Sequence, residues 1–326
     1  MKKIISLVLV MTMMLGALAF VGCNSAKTLK LGLGVYTSVS ATDATEEKAG
    51  QGQATVTIAA VLVDDAGKIV KAVIDCADNK VGYTADGKAT VVESFQTKYE
   101  AGAAYNMVAY GGAAKEWFEQ ADAFCSVIVG KTAAEVKALV AEDNKGKQDV
   151  INAGCTIYVA EFVKAVENAM SNAVASEATA NDALKLGVTT TQTPADATEE
   201  KDGTSKVATT VFAAAVDANG KIVAASSDCV EVTFSFDATG KSTFDTSKAV
   251  QSKKEQGSNY GMVAYGGSAK EWFEQAAAFD AACIGKTAAE VSGLMGADYK
   301  GNADLQAAGC TIYVSDFVKA AAKVGK

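Results

Sequence analysis

One segment of the chain has the residue types of a phosphate-binding loop. Gly130-Lys131-Thr132 matches the last three residues of that loop, but the loop needs another glycine five residues earlier, where Cys125 stands. Thr132 with Glu135 fits a capping box, in which each residue bonds the backbone N–H of the other. The segment is therefore predicted to begin a helix and not to bind phosphate.

A second candidate for anion binding is the sequence Tyr-Gly-Gly, which begins at Tyr110 and recurs at Tyr265. In the first copy it precedes a predicted helix that carries Lys115. Backbone N–H groups at a helix start together with a lysine can hold an anion. The same residues also make an ordinary junction between a loop and a helix. Tyr110 and Tyr265 are thus candidate ligand-binding residues, with a structural alternative.

The composition excludes several classes of site. The chain of 326 residues has no His, all 30 of its basic residues are Lys, and its net charge is −8. Ser-His-Asp triads, Cys-His pairs and His-ligated metals or haem all need an imidazole. Without arginine and with net negative charge, nucleic acid is not an expected partner. No motif places a nucleophile beside a base, so we predict no catalytic residue, no metal site and no enzyme.

Six cysteines lie in the body of the chain, and no two of them are spaced as Cys-x-x-Cys. That absence argues against thioredoxin-like chemistry, zinc ribbons and the common iron–sulfur spacings. Disulfides stay open, since connectivity cannot be read from one sequence. We favour buried free thiols.

The chain contains a tandem repeat. The sequence Met-Val-Ala-Tyr-Gly-Gly at 107–112 returns at 262–267, and Ala-Gly-Cys-Thr-Ile-Tyr-Val at 153–159 returns at 308–314, both offset by 155 residues. Two copies of this length indicate duplicated domains and not a solenoid. We place them at 27–172 and 180–326, joined by a link rich in Ala and Ser near 171–181, and expect each to fold alone.

Within a copy, strands come first and helices follow. The segments 55–63 and 69–74 read as strands joined by turn residues, and the second copy has Asn219-Gly220 at the corresponding turn. Trp117, Ala121, Phe124 and Ile128 have helical spacing. The order predicts the α+β class, with an antiparallel sheet, packed helices and a terminal helix in each domain.

The N-terminus reads as a secretory signal: Lys2 and Lys3 precede an apolar run that ends at Gly22-Cys23. Residues 1–22 resemble a bacterial lipoprotein signal peptide. That resemblance implies cleavage before Cys23, lipidation of Cys23, and a protein anchored to the membrane on its extracytoplasmic face.

Replacing Cys23 with Ser is therefore expected to release the protein from the membrane fraction, because the acyl chains attach through the cysteine sulfur. Fractionation and the N-terminal mass of the product measure this. A variant that stays in the membrane and keeps residues 1–22 would show an uncleaved anchor instead.

The repeated segments that end in Thr156 and Thr311 are the most informative ones. Each has an acidic residue, a small-Gly-small-Thr turn and then the last helix of the copy. The pattern resembles the FMN-binding domain family, and two copies behind a lipoprotein signal resemble flavin-carrying electron-transfer lipoproteins of Gram-positive bacteria. In that family the motif is Ser-Gly-Ala-Thr; here Ala replaces the Ser and Cys replaces the Ala.

The resemblance implies that a flavin transferase joins FMN to Thr156 and Thr311 through a phosphoester bond, with Gly154 and Gly309 forming the motif turn. It implies an electron carrier with redox partners outside the membrane. Two alternatives remain: a lipoprotein that binds a small ligand noncovalently near Tyr110 and Tyr265, and a structural envelope lipoprotein without flavin.

Overall fold

Each repeat begins with three long strands. The computed structural model describes residues 27–325, so the predicted signal peptide and Cys23 lie outside the described residues. The strands are β1 Thr28–Thr42, β2 Gly50–Val63 and β3 Ile69–Tyr83 in the first repeat, β4 Val174–Thr179 between the repeats, and β5 Ala183–Ala195, β6 Gly203–Val216 and β7 Ile222–Phe236 in the second.

The chain reverses between β2 and β3 because of two residues in the turn, Asp64 and Gly67. The Asp64 carboxylate accepts hydrogen bonds from the N–H groups of Ala66 and Lys68, both at 2.9 Å. Gly67 has a φ of +73°, a conformation that favours glycine. Gly220 adopts the same left-handed conformation in the turn between β6 and β7, with a φ of +77°. Both predicted hairpins are confirmed.

Helices follow the strands in both repeats. They are α1 Lys98–Ala101, α2 Trp117–Ile128, α3 Ala133–Lys137, α4 Gln148–Ala153 and α5 Ala160–Ser171, then α6 Lys253–Gln256, α7 Trp272–Cys283, α8 Ala303–Ala307 and α9 Ser315–Lys323, with 3-10 turns at Gly102–Tyr105, Gly257–Tyr260 and Glu290–Leu294. The four residues predicted to share the buried side of α2 are all buried. Among the described helices, none has the length and apolar character needed to cross a membrane.

All strand pairs are antiparallel. The first sheet has the order β3-β2-β1-β4 and the second β5-β6-β7. β4 lies within the predicted link, and it pairs with β1 through Leu31 and Val174, so part of that link is a sheet edge and not a free linker. The α+β class is confirmed, with the two sheets in separate halves of the sequence.

The central strands are buried on both faces, which explains their nearly continuous apolar sequence. In β2, Ile58 and Ala60 face one hydrophobic cluster, whereas Ala59 and Val61 face another that contains α2 and α5. β6 divides its side chains in the same way between the first cluster and a third one against α7 and α9. The layers therefore run helices, sheet, sheet, helices.

The cluster between the two sheets belongs to both repeats, and we name it the inter-sheet core. It joins residues such as Leu33 and Ile58 of the first sheet to Val211 and Phe234 of the second. At the sheet ends, the rings of Tyr83 and Phe236 stack with centroids 4.4 Å apart. Each repeat thus has its own helix-side core but shares its sheet-side core, which departs from the expectation that each copy is self-contained.

Candidate functional site

Each repeat has a cavity at the same place, where the start of its first short helix faces the segment that leads into its last helix. The cavity volumes are about 540 Å³ in the first repeat and 610 Å³ in the second. We name them cavity A and cavity B. Cavity A is lined among others by Cys76, Lys98, Tyr105, Trp117 and Tyr158. Cavity B is lined by their counterparts Cys229, Lys253, Tyr260, Trp272 and Tyr313.

A lysine stands between two aromatic rings in cavity A. Thr97 caps α1 in a reciprocal capping box with Glu100, which places Lys98 at the first position of the helix. The Lys98 ammonium is 5.2 Å from the ring centroid of Tyr105 and 5.8 Å from that of Trp117. Such contacts favour a cation over an aromatic face. Burial opposes the charge, but Cys76, Tyr105 and Asp78 outweigh it and raise the pKa of Lys98.

The counterpart in cavity B has a carboxylate partner as well. Lys253 lies 4.8 Å from the Tyr260 ring centroid, and its Nζ is 3.0 Å from Glu231 Oε1. The same carboxylate accepts Lys206 at 2.9 Å. Burial works against the charge on Lys253, but Cys229, Tyr260 and Glu231 raise its pKa. Both cavities therefore hold a charged lysine; among residues 27–325, that of cavity B has a carboxylate within 4.0 Å, which it shares with Lys206, and that of cavity A has none.

The cavity cysteines are not nucleophiles. Burial raises the pKa of Cys76 and of Cys229 to about 12, so both are thiols at neutral pH. All six cysteines of the described residues are free and buried, as predicted. Trp117 and Trp272 are buried core residues, and each also lines its cavity.

The two motif threonines make the same hydrogen bonds. Thr156 is exposed, its backbone N–H donates to Gln120 Oε1 at 2.9 Å, and its hydroxyl donates to the same oxygen at 3.0 Å. Thr311 bonds Gln275 Oε1 at 2.8 and 3.0 Å. Thr311 lines cavity B; Thr156 is not a lining residue of cavity A, although the residues that follow it are. A buried glutamine thus positions each exposed hydroxyl at or beside a cavity.

The motif glycines are favoured by their backbone conformation, and a lysine lies close to each of them. Gly154 has a φ of +104° and Gly309 a φ of +99°. A Cβ added at Gly154 would overlap the Nζ of Lys115, and one at Gly309 would overlap the Nζ of Lys270. Each glycine therefore lets a lysine ammonium approach the backbone two residues before the motif threonine.

Gly154→Ala is expected to lower the free energy of unfolding by about 1–2 kcal/mol, because an L residue pays roughly that amount for a left-handed backbone. Urea denaturation followed by tryptophan fluorescence measures it. Gly293→Ala is the matched control, since its Cβ meets open space and its φ is ordinary. If Lys115→Ala restored the stability of Gly154→Ala, crowding by the lysine and not φ would be the cause.

The predicted tyrosine pair lies outside the cavities. Tyr110 is 88% exposed and Tyr265 is 92% exposed, and neither lines cavity A or B. Their loops end before α2 and α7, which begin at Trp117 and Trp272. The Tyr-Gly-Gly loop of the second repeat nevertheless reaches cavity B, because Gly266 lines it together with Thr311, while the tyrosine side chains themselves line neither cavity.

The capping interpretation of the Gly-Lys-Thr segments is confirmed. Thr132 and Glu135 form the reciprocal capping box that begins α3. Thr287 and Glu290 make the same bonds, and a 3-10 turn follows in place of an α-helix.

Sequence reasoning missed Lys98, Lys253 and the two glutamines. The lysines recur at the offset of 155 residues inside a capping pattern, and Gln120 and Gln275 end a repeated segment. The repetition of these residues in both copies could have drawn attention to them. Repetition alone, however, does not distinguish residues that line a cavity from residues of the core.

Comparisons with protein-family models, with curated proteins and with solved structures find no match for this chain.

Proposed function

We propose that the protein is a lipid-anchored, extracytoplasmic electron carrier with one FMN attached to each repeat, on Thr156 and on Thr311. The observation that supports it best is an exposed threonine held by a glutamine in each repeat, with Thr311 lining cavity B and Thr156 next to Ile157, which lines cavity A. A separate flavin transferase must reach the attachment hydroxyl, and both threonines are accessible to it.

The residues present fit a flavin in size and chemistry. Volumes of about 540 and 610 Å³ lie within the range of cofactor pockets. Both linings combine aromatic rings with one buried ammonium, which suits a ring system that gains negative charge on reduction. The ring contacts would come from Tyr105 and Trp117 in the first repeat and from Tyr260 and Trp272 in the second.

The phosphate would lie at the motif, where a second lysine supports it. Lys115 and Lys270 each place their ammonium against the motif glycine, and Lys270 Nζ donates to Ala308 O at 3.2 Å. One ammonium balances the single negative charge of a phosphodiester. A covalent bond also makes an arginine clamp unnecessary, which agrees with a chain that has none.

The reaction class follows from what the cavities contain. A bound flavin supplies the electron-transfer chemistry, and the chain positions and insulates it. The thiols of Cys76 and Cys229 stay protonated at neutral pH and are therefore not nucleophiles there. The proposed role is therefore electron transfer to redox partners, without turnover of a substrate by this chain.

Coexpression with an active flavin transferase tests the proposal. We expect an intact mass increased by two FMN phosphoesters and a yellow colour that survives denaturation, since the bond is covalent. Colourless protein of unmodified mass, with a transferase that labels a control substrate, would contradict it.

A second candidate function is noncovalent ligand binding, favoured by a cleft of about 1110 Å³ between the repeats. It is lined by Phe95, Tyr99 and Asp75 of the first repeat and by Leu186 and Lys323 of the second. Retention of a small molecule by protein that carries no flavin would favour this alternative.

A further inference from the structure

The two repeats pack against each other through strands that correspond to one another. β3 of the first repeat lies against β5 of the second, and β7 of the second repeat lies against β1 of the first. β3 corresponds to β7 and β1 to β5, since the sequence Ala-Thr-Glu-Glu-Lys at 44–48 returns at 197–201, an offset of 153 residues. The molecule therefore has two equivalent junctions between its sheets, one at β3 and β5 and the other at β7 and β1.

β4 fills the junction of β7 and β1. It pairs with the outer edge of β1, where Leu31 lies opposite Val174, and it also lies against β7. The Ser176 hydroxyl donates a hydrogen bond to Leu29 O at 2.7 Å, and Ala178 is fully buried in the inter-sheet core. A six-residue strand with mostly small side chains thus closes this junction.

The junction of β3 and β5 holds the cleft of about 1110 Å³ instead. Residues 70–75 of β3 and 183–186 of β5 line this cleft, and within residues 27–325 both strands are at the edge of their sheets. Leu184 in the lining corresponds to Leu31, the residue of β1 that pairs with β4. The part of the chain that the structure describes therefore supplies β4 to one junction and no strand to the other.

The edge of β5 presents backbone groups to the cleft. Val188 O accepts a hydrogen bond from Lys323 Nζ and so points away from β6. Backbone groups alternate in direction along an antiparallel strand, so the N–H and C=O groups of Leu184 and Leu186 also point away from β6. Phe95 adds apolar surface to the same cleft. Backbone groups along an open edge, next to an apolar surface, are the features that bind an added strand.

We propose that this cleft binds an extended polypeptide segment of a partner protein as an added strand on β5, with small side chains like those of β4. The proposal is independent of flavin attachment. Backbone hydrogen bonds to β5 would supply the affinity, and a small residue in the place that Ala178 has at the other junction would contact the inter-sheet core. A single strand suits the site better than a second copy of this chain, because β3 and α2 also border the cleft and would collide with a whole sheet beside β5.

A synthetic peptide with the sequence of residues 173–180, which includes β4, is the probe. We expect the labelled peptide to bind the full chain saturably in a fluorescence anisotropy titration and to slow hydrogen exchange in residues 183–188. Two further peptides have alternate backbone N–H groups methylated, one in each register. One of these two is expected to bind at least about tenfold more weakly, because it cannot donate hydrogen bonds to β5.

Variants of Ser126 are the matched controls on the protein. Ser126 is exposed on α2 and lines the cleft. Ser126→Trp is expected to weaken peptide binding at least about tenfold by filling the cleft, whereas Ser126→Ala should leave it unchanged. Circular dichroism shows that both variants keep the fold.

Three results would overturn the proposal. The first is a peptide that does not bind saturably, or that binds equally well in both methylated forms. The second is slower exchange in residues 28–35 and not in 183–188, which would mean that the peptide replaces β4 on β1. The third is protection of residues 183–188 without peptide that is lost on dilution, which would assign this edge to a second copy of the chain.

Discussion

Coexpressed with an active flavin transferase, Thr156→Val is expected to carry one FMN in place of two, Thr311→Val the other one, and the double variant none. Valine keeps the volume of threonine but lacks the hydroxyl oxygen that the phosphoester needs. Both side chains are exposed, and the backbone N–H of each still donates to its glutamine, so folding is expected to be unchanged. Intact mass and absorbance per protein measure the flavin count.

The neighbouring thiols supply the control. Cys155 and Cys310 directly precede the threonines, and both are buried with their pKa raised to about 11 by burial. Cys155→Ala and Cys310→Ala are therefore expected to keep both flavins. If flavin were lost with the cysteines and kept with the valines, attachment would be through sulfur and the proposed threonine linkage would be wrong.

Phe234→Ala is expected to lower the free energy of unfolding of both repeats by about 3–5 kcal/mol, the usual cost of deleting a buried phenyl ring. Phe234 lies on β7 of the second repeat and is fully buried in the inter-sheet core. Its ring covers Gly52 of the first repeat so closely that a Cβ at that position would overlap it. The cavity left by alanine thus opens between the sheets.

Single-tryptophan proteins separate the response of the two repeats. Trp272→Phe leaves Trp117 as the reporter of the first repeat, and Trp117→Phe leaves Trp272 as that of the second. In urea, Phe234→Ala is expected to move the midpoint of both reporters. A shift of the Trp272 transition alone would show that the repeats are independent. Val91→Ala, at a highly exposed residue, is the control and should move neither.

The local features of each repeat could be predicted from the sequence because they depend on residues close together in the chain. Turn residues such as Asp64 and Gly67 act within five positions, and the capping box of Thr132 within four. Apolar spacing in α2 identified its buried face. The role of Thr156 and Thr311 was proposed from the resemblance of a short local pattern and stays a prediction.

The arrangement of the sheets was decided by tertiary structure. The second half of each central strand is a continuous apolar run buried on both faces, so its sequence does not say which cluster each side chain joins. Val174–Thr179 was predicted to be part of a link because the segment is rich in Ala and Ser, whereas in the structure it pairs with the edge strand β1.

The charge of the two cavities was likewise beyond sequence reasoning. Lys253 meets Glu231 across 22 positions of chain, and Lys206 reaches the same carboxylate from another strand. Asp78 occupies the corresponding position, but its carboxylate accepts hydrogen bonds from Gln53 and Thr55, and among residues 27–325 no carboxylate lies within 4.0 Å of Lys98 Nζ. The sequence by itself determined which residue types recur in both repeats. Which of these residues are in contact depends on distances of a few tenths of a nanometre, and only the packing of the strands and helices sets those distances.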